Sequence, residues 1–241
     1  MSNLLVEIGN TALKAAWSEG LTLGKTYRYQ GEKMLGFISS LVDKEKPSVM
    51  VLSSTIDISQ KEEENLKTKC DKLIILDRNH TESATSNGFP EYLSPDRVAS
   101  ALAVRHLFKG AGCAVFDFGT TLTVDFLGPE GEYEGGNISP GCRTRFKALN
   151  RYSRTLPLVD TPSGEVEIGD SVKSSIESGV IGGIMFEIRG YLSLFPQKTA
   201  VFTGGDALYF AKRLKNSIFV ICNLVLMGLA LIADSYAEKN D

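Results

Sequence analysis

The sequence is poor in the residues that build metal centres and disulfide networks. It contains four cysteines and two histidines among 241 residues, and no two cysteines form a CxxC pair. Structural zinc sites and disulfide frameworks need several such side chains at short spacings. We therefore expect neither of them, little histidine-based acid–base chemistry, and a reducing compartment, the cytoplasm.

The chain also lacks a strong excess of one charge and a hydrophobic run of membrane-spanning length. Its formal net charge of −3 implies no basic face, so we expect no nucleic-acid partner. Residues 1–10 have no basic region and carry Glu7 in their apolar run, unlike a signal peptide. The apolar segment 218–233 is interrupted by Asn223 and Gly228 and is shorter than the roughly 20 residues that a bilayer demands. We expect a buried strand and helix there, and no membrane contact.

What the sequence does contain is an internal repeat of a short pattern. Residues 6–17 (VEIGNTALKAAW) and 116–127 (FDFGTTLTVDFL) each combine an apolar strand, an acid, a glycine, a polar residue and a threonine before a second apolar strand. The acids are Glu7 and Asp117, and their spacing matches a lobe of about 100 residues. The two predicted lobes are residues 1–110 and 111–241.

Alternating strand and helix patterns along the rest of the chain predict the α/β class. Apolar runs predict strands at residues 48–53, 72–76, 199–202 and 218–222. Helices are predicted at residues 95–108, after Gly205 as far as Leu214, and at the C-terminal end. Segment 128–141 predicts turns around a short strand, and segment 157–170 predicts a loop.

The two acid–glycine–threonine turns have the features of phosphate-binding hairpins. Glycine lets a phosphate approach the backbone, whose amides donate hydrogen bonds together with the threonine hydroxyls. The preceding acid, Glu7 or Asp117, can hold a cation that offsets phosphate charge. A single copy is more simply an ordinary hairpin turn. Two copies, together with the strand-to-helix turn Thr203-Gly204-Gly205, favour phosphate binding.

The segment Ser94-Pro95-Asp96-Arg97 predicts the start of a helix, with Ser94 as the N-cap and Pro95 as the first residue. A carboxylate at Asp96 can accept the proton of a substrate hydroxyl during phosphoryl transfer. The guanidinium of Arg97 can hold a substrate carboxylate in a bidentate fork. From the residue types alone a simpler interpretation is favoured, in which Asp96 complements the helix dipole and Arg97 faces solvent.

Taken in order, these motifs resemble the type III pantothenate kinase family over nearly the whole chain. The first matches are residues 7–11 (EIGNT) to Asp-x-Gly-Asn-Thr, Asp96-Arg97 to the end of Gly-x-Asp-Arg, and residues 117–120 (DFGT) with 123–125 (TVD) to Asp-x-Gly-Thr and its trailing Thr-x-Asp. The others are residues 133–141 (YEGGNISPG) to Tyr-x-Gly-Gly-x-Ile-x-Pro-Gly, Leu156-Pro157, Thr203-Gly204-Gly205 and residues 223–229 (NLVLMGL). Turn chemistry alone explains residues 133–141 equally well.

The resemblance implies two ribonuclease-H-like lobes of the actin-like ATPase superfold, with a cleft between the lobes, in a homodimer. It implies transfer of the γ-phosphate of ATP to the hydroxyl of pantothenate. The product would be 4'-phosphopantothenate, formed in the first step of coenzyme A biosynthesis. Magnesium would accompany the nucleotide, and a monovalent cation, K+ or NH4+, would bind Asp117.

The resemblance also assigns roles to individual residues. Asp96 would accept the proton of the substrate hydroxyl. Contacts with ATP are implied for Glu7, Ile8, Gly9, Asn10, Thr11, Ala12, Leu13, Lys14, Thr120, Gly204 and Gly205. Contacts with pantothenate are implied at Asn87, Ser94, Pro95, Arg97 and Val172.

Four of these positions depart from the family pattern. Glu7 replaces an aspartate, Ser94 a glycine, Asn87 a tyrosine, and Val172 a threonine, beside which Ser171 offers another hydroxyl. A catalyst that works by positioning is sensitive to errors of about 1 Å. The departures therefore imply either altered substrate handling or a weakened enzyme.

Other functions remain compatible with the residues. One is a catalytically weakened relative with a binding or regulatory role, and another is a related kinase for a different small hydroxy acid or sugar. A ribonuclease-H-type nuclease would instead use Glu7, Asp96, Asp117 and Asp125 around two metal ions. The Gly-Asn-Thr and Gly-Thr-Thr turns favour a triphosphate over that nuclease, and the charge balance weighs against a nucleic-acid substrate.

Overall fold

The computed structural model describes residues 2–43, 45–164 and 167–238. These residues form two compact units, one up to Leu107 together with the chain from Asn223 onward, and one over Phe108–Cys222. The strands are β1 (Asn3–Ile8), β2 (Leu13–Glu19), β3 (Thr22–Tyr29), β4 (Val49–Ser54), β5 (Lys72–Leu76), β6 (Cys113–Phe118), β7 (Thr121–Leu127), β8 (Tyr133–Pro140), β9 (Thr199–Gly204) and β10 (Ile218–Val220). The helices are α1 (Met34–Val42), α2 (Gln60–Lys67), α3 (Glu82–Thr85), α4 (Pro95–Leu107), α5 (Cys142–Tyr152), α6 (Val172–Leu194), α7 (Ala207–Ala211) and α8 (Leu224–Glu238).

Each unit is built on a five-stranded mixed sheet with the same strand order. In the first unit the order is β3-β2-β1-β4-β5, and in the second it is β8-β7-β6-β9-β10 when read in the same direction. The first three strands of each sheet pair antiparallel, and the last two continue in parallel. The sequence repeat therefore corresponds to a repeated sheet, in which β1–β2 and β6–β7 are equivalent hairpins.

The core of the first unit lies between its sheet and the helices that cover it. Leu4, Val6 and Ile8 share one buried face of β1, because successive side chains of a strand point to opposite faces, and the opposite face is buried too at Asn3 and Leu5. They pack with residues of β2, β4, α1 and α2 in one apolar cluster. This packing holds the end of β1, and the turn after it, in a fixed position.

The C-terminal helix α8 packs in the first unit, whereas the predicted boundary placed the whole segment after residue 110 in the second lobe. The helix crosses α4 closely, since a Cβ on Gly228 would lie 1.9 Å from the carbonyl oxygen of Ala99. Leu226 and Leu229 are fully buried. A helix this apolar needs burial on several sides, which α4 and the first sheet provide.

Aromatic rings dominate the core of the second unit. Phe116 and Phe118 on β6 pack against Phe202 on β9 with ring centroids 4.9 Å apart, and Phe118 also stacks on Phe210 of α7. Aromatic side chains bury large apolar areas with few rotamers, so they fix the positions of these elements strongly. The carboxyl ends of β6 and β9, which lead into the predicted phosphate turns, are thereby held together.

Most of the predicted elements are present with bounds that shift by a few residues. The helix after Gly205 ends at Ala211 and is shorter than predicted. The turn-rich segment 128–141 contains an eight-residue strand, β8, which pairs with β7 across a register shift, with Gly135 at φ +132°. A glycine at such an angle lets the strand bend without losing its partner.

The apolar segment 218–233 forms β10 and most of α8, as predicted. Within the described ranges, none of the helices has both the length and the apolar character needed to span a bilayer. All four cysteines are unpaired. Cys70, Cys113 and Cys142 are buried, and Cys222 is exposed.

Candidate functional site

The first candidate hairpin joins β1 to β2 through a tight turn. The Gly9 N–H donates to the carbonyl oxygen of Ala12 (3.0 Å) and closes the turn, and Asn10 and Thr11 at its tip are exposed. The end of β1 is fixed from the neighbouring strand, because Thr55 donates both its N–H (3.0 Å) and its hydroxyl (3.2 Å) to the carbonyl oxygen of Ile8. The turn therefore presents polar groups to solvent from a rigid base.

Glu7, which replaces the family's aspartate, is paired with Lys14. The two residues face each other across the β1–β2 ladder, with the Nζ of Lys14 3.3 Å from an Oε of Glu7. Burial raises the pKa of the Glu7 carboxyl, Lys14 opposes this shift, and the negative charge of Asp96 adds to it. The Glu7 carboxyl is therefore influenced by the charge of Asp96 as well as by Lys14.

Asp96 lies in the first turn of α4. The helix begins at Pro95, as predicted, and the Val98 N–H donates to the carbonyl oxygen of Ser94 (2.9 Å). The Oδ1 atom of Asp96 is buried and has no hydrogen-bond partner within the described part of the chain. A buried carboxylate oxygen without a donor is costly, and such groups are common where a ligand supplies the missing hydrogen bond.

Arg97 is buried, with 7% of its surface exposed. The interpretation that it faces solvent is therefore wrong. An arginine this far from water needs hydrogen-bonding partners, and its guanidinium presents a fork of donors for a carboxylate.

The side chain of Asn87, a predicted substrate contact, is engaged within the first unit. Its amide donates to the carbonyl oxygen of Ser83 (2.8 Å). Arg105 donates to both the backbone oxygen (2.9 Å) and the side-chain oxygen (3.2 Å) of Asn87 and lies over the ring of Phe89 (5.0 Å). Burial lowers the pKa of the Arg105 guanidinium. Asn87 thus ties its loop to α4, a role that the sequence analysis missed.

The second candidate hairpin joins β6 to β7. Asp117 lies near the end of β6, between Thr123 on β7 and Thr203 on β9 in the strand registers. The Gly119 N–H donates to the carbonyl oxygen of Thr121 (3.0 Å), two residues ahead, whereas the Gly9 N–H bonds to Ala12, three residues ahead. Both segments therefore form tight turns, as the repeated sequence predicted, and the second turn is one residue shorter than the first.

Gly204 has a structural requirement for glycine. Its φ is +90°, and a Cβ at this position would lie 2.5 Å from an Oδ of Asp117 and 2.6 Å from the backbone nitrogen of Phe118. The close approach leaves the Asp117 carboxylate beside bare backbone. A carboxylate next to backbone oxygens is the donor type that hard cations prefer, so these residues fit a cation.

The strand-to-helix turn after β9 is short. Gly205 is exposed, and α7 begins two residues later at Ala207. Burial raises the pKa of the intervening Asp206 carboxyl. Gly204 and Gly205 lie together with the end of β6 in the second unit, because β9 is its parallel neighbour.

Val172 lies away from these turns in sequence, at the first position of α6, with 58% of its surface exposed. The neighbouring Ser171 is the N-cap of this helix, and its hydroxyl accepts the N–H of Ser174 (3.3 Å). The hydroxyl is therefore used to cap the helix.

Two further residues bind the tip of the second hairpin and were not predicted from the sequence as site residues. The Gly141 N–H (3.0 Å) and the Thr144 hydroxyl (2.6 Å) both donate to the carbonyl oxygen of Thr120. The Pro-Gly step of the 133–141 motif is a signal for Gly141, but nothing in the sequence pattern distinguishes Thr144.

Over residues 2–43, 45–164 and 167–238, no group of three or more His, Cys, Asp or Glu side chains is placed to hold a metal ion. A two-metal nuclease centre made of carboxylates therefore gains no support from the geometry. A cation held by one carboxylate together with backbone and phosphate oxygens does not require such a group.

Comparison with known proteins decides the family. The sequence profile of the type III pantothenate kinases matches residues 3–193. The chain belongs to the type III pantothenate kinase family. A relative named type III pantothenate kinase, from Cytophaga hutchinsonii, is 35% identical over 231 residues that cover 94% of this chain and 96% of the relative. Membership makes the chain a phosphotransferase and favours a kinase over a nuclease.

Solved structures show the fold of this family member. A protein assigned to the Baf family of transcriptional activators, from Campylobacter jejuni, has a TM-score of 0.63 at 21% identity and covers 98% of this chain and 99% of its own. The activator of 2-hydroxyisocaproyl-CoA dehydratase from Clostridium difficile, with bound ADPNP, has a TM-score of 0.59 at 15% identity and covers 100% and 97%. These likenesses and the repeated sheet show the actin-like ATPase fold, as predicted.

Proposed function

We propose that this family member transfers the γ-phosphate of ATP to the hydroxyl of pantothenate and forms 4'-phosphopantothenate. The observation that carries the proposal is the buried Asp96 oxygen without a hydrogen-bond donor, at the start of α4 and within electrostatic reach of the Glu7 turn. In a chain of this family, a substrate hydroxyl is the donor that this oxygen lacks.

Asp96 acts as the acceptor of the hydroxyl proton as the oxygen of pantothenate attacks phosphorus. Phosphoryl transfer needs little covalent help from the protein, so a positioned carboxylate is sufficient. Arg97 follows Asp96 on the same helical turn and is assigned to the carboxylate of pantothenate, since a guanidinium binds a carboxylate in two parallel hydrogen bonds. Ser94 and Pro95 form the edge of this substrate site.

The nucleotide is assigned to the two hairpins. Residues 8–13 of the first turn offer backbone amides to phosphate, and Lys14 offers a positive charge. In the second unit, Thr120, Gly204 and Gly205 offer a hydroxyl and bare backbone. Magnesium bound with ATP would neutralise phosphate charge, and K+ or NH4+ at Asp117 would do the same from the protein side.

The substitution of glutamate at position 7 is accommodated by Lys14. The longer side chain reaches the Lys14 ammonium at 3.3 Å, so the additional methylene is used in an ion pair within the hairpin. Asn87 acts on the substrate site through its loop, since its polar atoms are bonded to Ser83 and Arg105. The departures from the family pattern at Glu7 and Asn87 are then compatible with turnover.

We also propose a homodimer in the cytoplasm, where ATP is available. In the second unit, a cavity of about 670 Å³ opens between α5 and α6. Leu149 and Tyr152 line it and remain 37% and 84% exposed. Burial of such apolar surface against a second copy would be favourable. Sedimentation equilibrium of the protein and of a Tyr152→Glu variant tests this, and a monomer at micromolar concentration for the wild type would contradict it.

The function is tested by ADP release from the purified protein with pantothenate, ATP, magnesium and potassium. We expect pantothenate-dependent turnover that falls by about 10²- to 10⁴-fold in Asp96→Asn, because the general base is removed. Omission of potassium should lower the rate. Asp160→Asn, in a loop of the second unit, is the control for a surface carboxylate.

A folded protein that binds ATP but shows no pantothenate-dependent turnover would overturn the proposal. A panel of other small hydroxy acids and sugars would then identify a related kinase. If none of these compounds were phosphorylated, a binding or regulatory role would be favoured.

A further inference from the structure

The tip of the second hairpin is held by the helix that follows its sheet. The carbonyl oxygen of Thr120 accepts two hydrogen bonds, from the Gly141 N–H (3.0 Å) and from the Thr144 hydroxyl (2.6 Å). Gly141 is the N-cap of α5, and Thr144 lies in its first turn. The orientation of the Thr120 peptide is therefore fixed by α5 rather than by the sheet alone.

The contact between α5 and the turn is a backbone contact. A Cβ on Gly141 would lie 2.1 Å from the carbonyl oxygen of Gly119 and 2.8 Å from that of Thr120. Only glycine permits this approach. The helix start and the turn thus form one packed unit, in which a change at Thr144 is transmitted to Thr120 directly.

The first hairpin has no equivalent support in the part of the chain that the structure describes. Its tip residues Asn10 and Thr11 are exposed, as Thr120 is, but within the described ranges no hydrogen bond from α1, the helix after β3, reaches them. The brace by α5 is therefore not a general requirement for folding such a hairpin. This difference points to a function specific to Thr120.

We propose that Thr144 is a positioning residue for the nucleotide, which acts by orienting Thr120. The proposal rests on the proposed function, in which Thr120 contacts ATP. The hydroxyl of Thr144 fixes the peptide plane of Thr120, and this plane sets the direction of the exposed Thr120 side chain and of the amide that follows it. Both groups are donors suited to a phosphate oxygen.

If the role of Thr144 were purely structural, removing its hydroxyl would lower the thermal stability of the protein. When its hydroxyl is removed, the Thr120 carbonyl oxygen still accepts the Gly141 N–H, so no buried acceptor is left without a partner. Valine has nearly the shape of threonine, so Thr144→Val leaves the packing in place. The expected loss is therefore in nucleotide affinity, with little change in thermal stability.

The experiment compares Thr144→Val with Thr144→Ser, which keeps the hydroxyl. The matched control is Thr68→Val, because the Thr68 hydroxyl also donates to a backbone oxygen, that of Asn65 (2.7 Å), at the end of α2 in the first unit. For each protein we would measure the dissociation constant of magnesium adenylyl imidodiphosphate, a non-hydrolysable ATP analogue. The KM values for ATP and for pantothenate would be measured separately.

We expect Thr144→Val to raise the dissociation constant of the analogue and the KM for ATP by about 3- to 10-fold, the value of one hydrogen bond. The KM for pantothenate should be unchanged. Thr144→Ser and Thr68→Val should stay within about twofold of the wild type, since both keep the Thr120 contact.

Four outcomes would overturn the inference or separate it from the proposed function. Equal affinities of Thr144→Val and the wild type, or equal losses in both KM values, would overturn the inference alone. Weaker analogue binding by Thr144→Val in a protein without pantothenate turnover would support the inference and overturn the proposed function. A wild type that does not bind the analogue would overturn both.

Discussion

The hairpin at Glu7 and the hairpin at Asp117 occupy equivalent places in two sheets of the same strand order, and both are tied to a neighbouring parallel strand. In the first, Thr55 after β4 donates its N–H to the carbonyl oxygen of Ile8 (3.0 Å). In the second, Asp206 after β9 donates its N–H to the carbonyl oxygen of Phe118 (3.4 Å). The repeated sheet thus has a comparable backbone link at both sites, but the donor lies one residue further along the chain in the second unit.

The chemistry around the two acids differs. Glu7 is neutralised by Lys14 on the adjacent strand, whereas Asp117 lies against the bare backbone of Gly204. The second turn is also braced by α5 through Thr144. The duplicated fold therefore provides similar sheets, on which the first turn carries an ion pair and the second is closely packed against Gly204 and α5.

The largest effect is expected from crowding at the second turn. Gly204→Ala should lower turnover by at least about 100-fold, because a Cβ displaces Asp117 from its position. It should also lower the free energy of unfolding by about 3 kcal/mol, through the positive φ and the clash. The control is Gly110→Ala, since Gly110 has a φ of +78° with no atom within 4 Å of a Cβ.

Urea unfolding and ADP release measure both quantities. Gly110→Ala should cost about 1 kcal/mol, from its backbone angle alone, and should keep full turnover. If Gly204→Ala behaved like Gly110→Ala, the second turn would be no more constrained than an ordinary glycine turn, and the contrast between the hairpins would fail.

The next effect concerns the ion pair of the first turn. Lys14→Met should raise the KM for ATP by about 10-fold, because a positive charge beside the phosphates is lost. The free energy of unfolding should also fall, because Glu7, whose side chain is only 17% exposed, is left without its cation. Lys25→Met, an exposed lysine on β3, is the control. Steady-state kinetics that gave equal KM values for both variants would remove Lys14 from the nucleotide site.

A smaller effect is expected at the loop around Asn87 in the first unit. Arg105→Lys keeps the charge but loses the fork that bonds both oxygens of Asn87. We expect the free energy of unfolding to fall by about 1–3 kcal/mol, and the KM for pantothenate to rise about threefold with that for ATP unchanged.

Chemical denaturation and substrate titrations check this prediction against Arg151→Lys, an exposed arginine on α5. Parallel increases in the KM values for ATP and pantothenate would show that the Asn87 loop supports the first unit as a whole. The loop would then have no selective role at the substrate site.

The smallest effect concerns the reactivity of cysteine thiols buried in the cores of the two units. Burial raises the pKa of the Cys113 thiol to about 11 and raises that of Cys70 as well. A raised thiol pKa keeps the group protonated, so at pH 8 both should react slowly with a disulfide reagent, while the exposed Cys222 reacts at once. In Cys222→Ser, rapid reaction of one of the three remaining thiols, located by peptide mapping, would show that its unit opens more readily than the other.

Part of the site could be predicted from the sequence because it depends on local rules. The turns at Gly9 and Gly119 and the helix start at Pro95 follow from residue type and spacing, and the structure confirms them. The burial of Arg97 could not be predicted, because a charged side chain is buried only when tertiary partners satisfy it. The roles of Arg105 and Thr144 also depend on contacts between segments that are distant in sequence.

The sequence by itself determined the α/β class, the repeat of the acid–glycine–threonine turn and the family, because these depend on periodicity, turn chemistry and ordered motifs. Only the tertiary structure decided that α8 packs in the first unit, that Lys14 neutralises Glu7, and that α5 braces Thr120. The physical reason is that each of these contacts joins apolar, charged or backbone groups that come together only when the sheets and helices pack. Such distances are set by packing, which local sequence patterns do not encode.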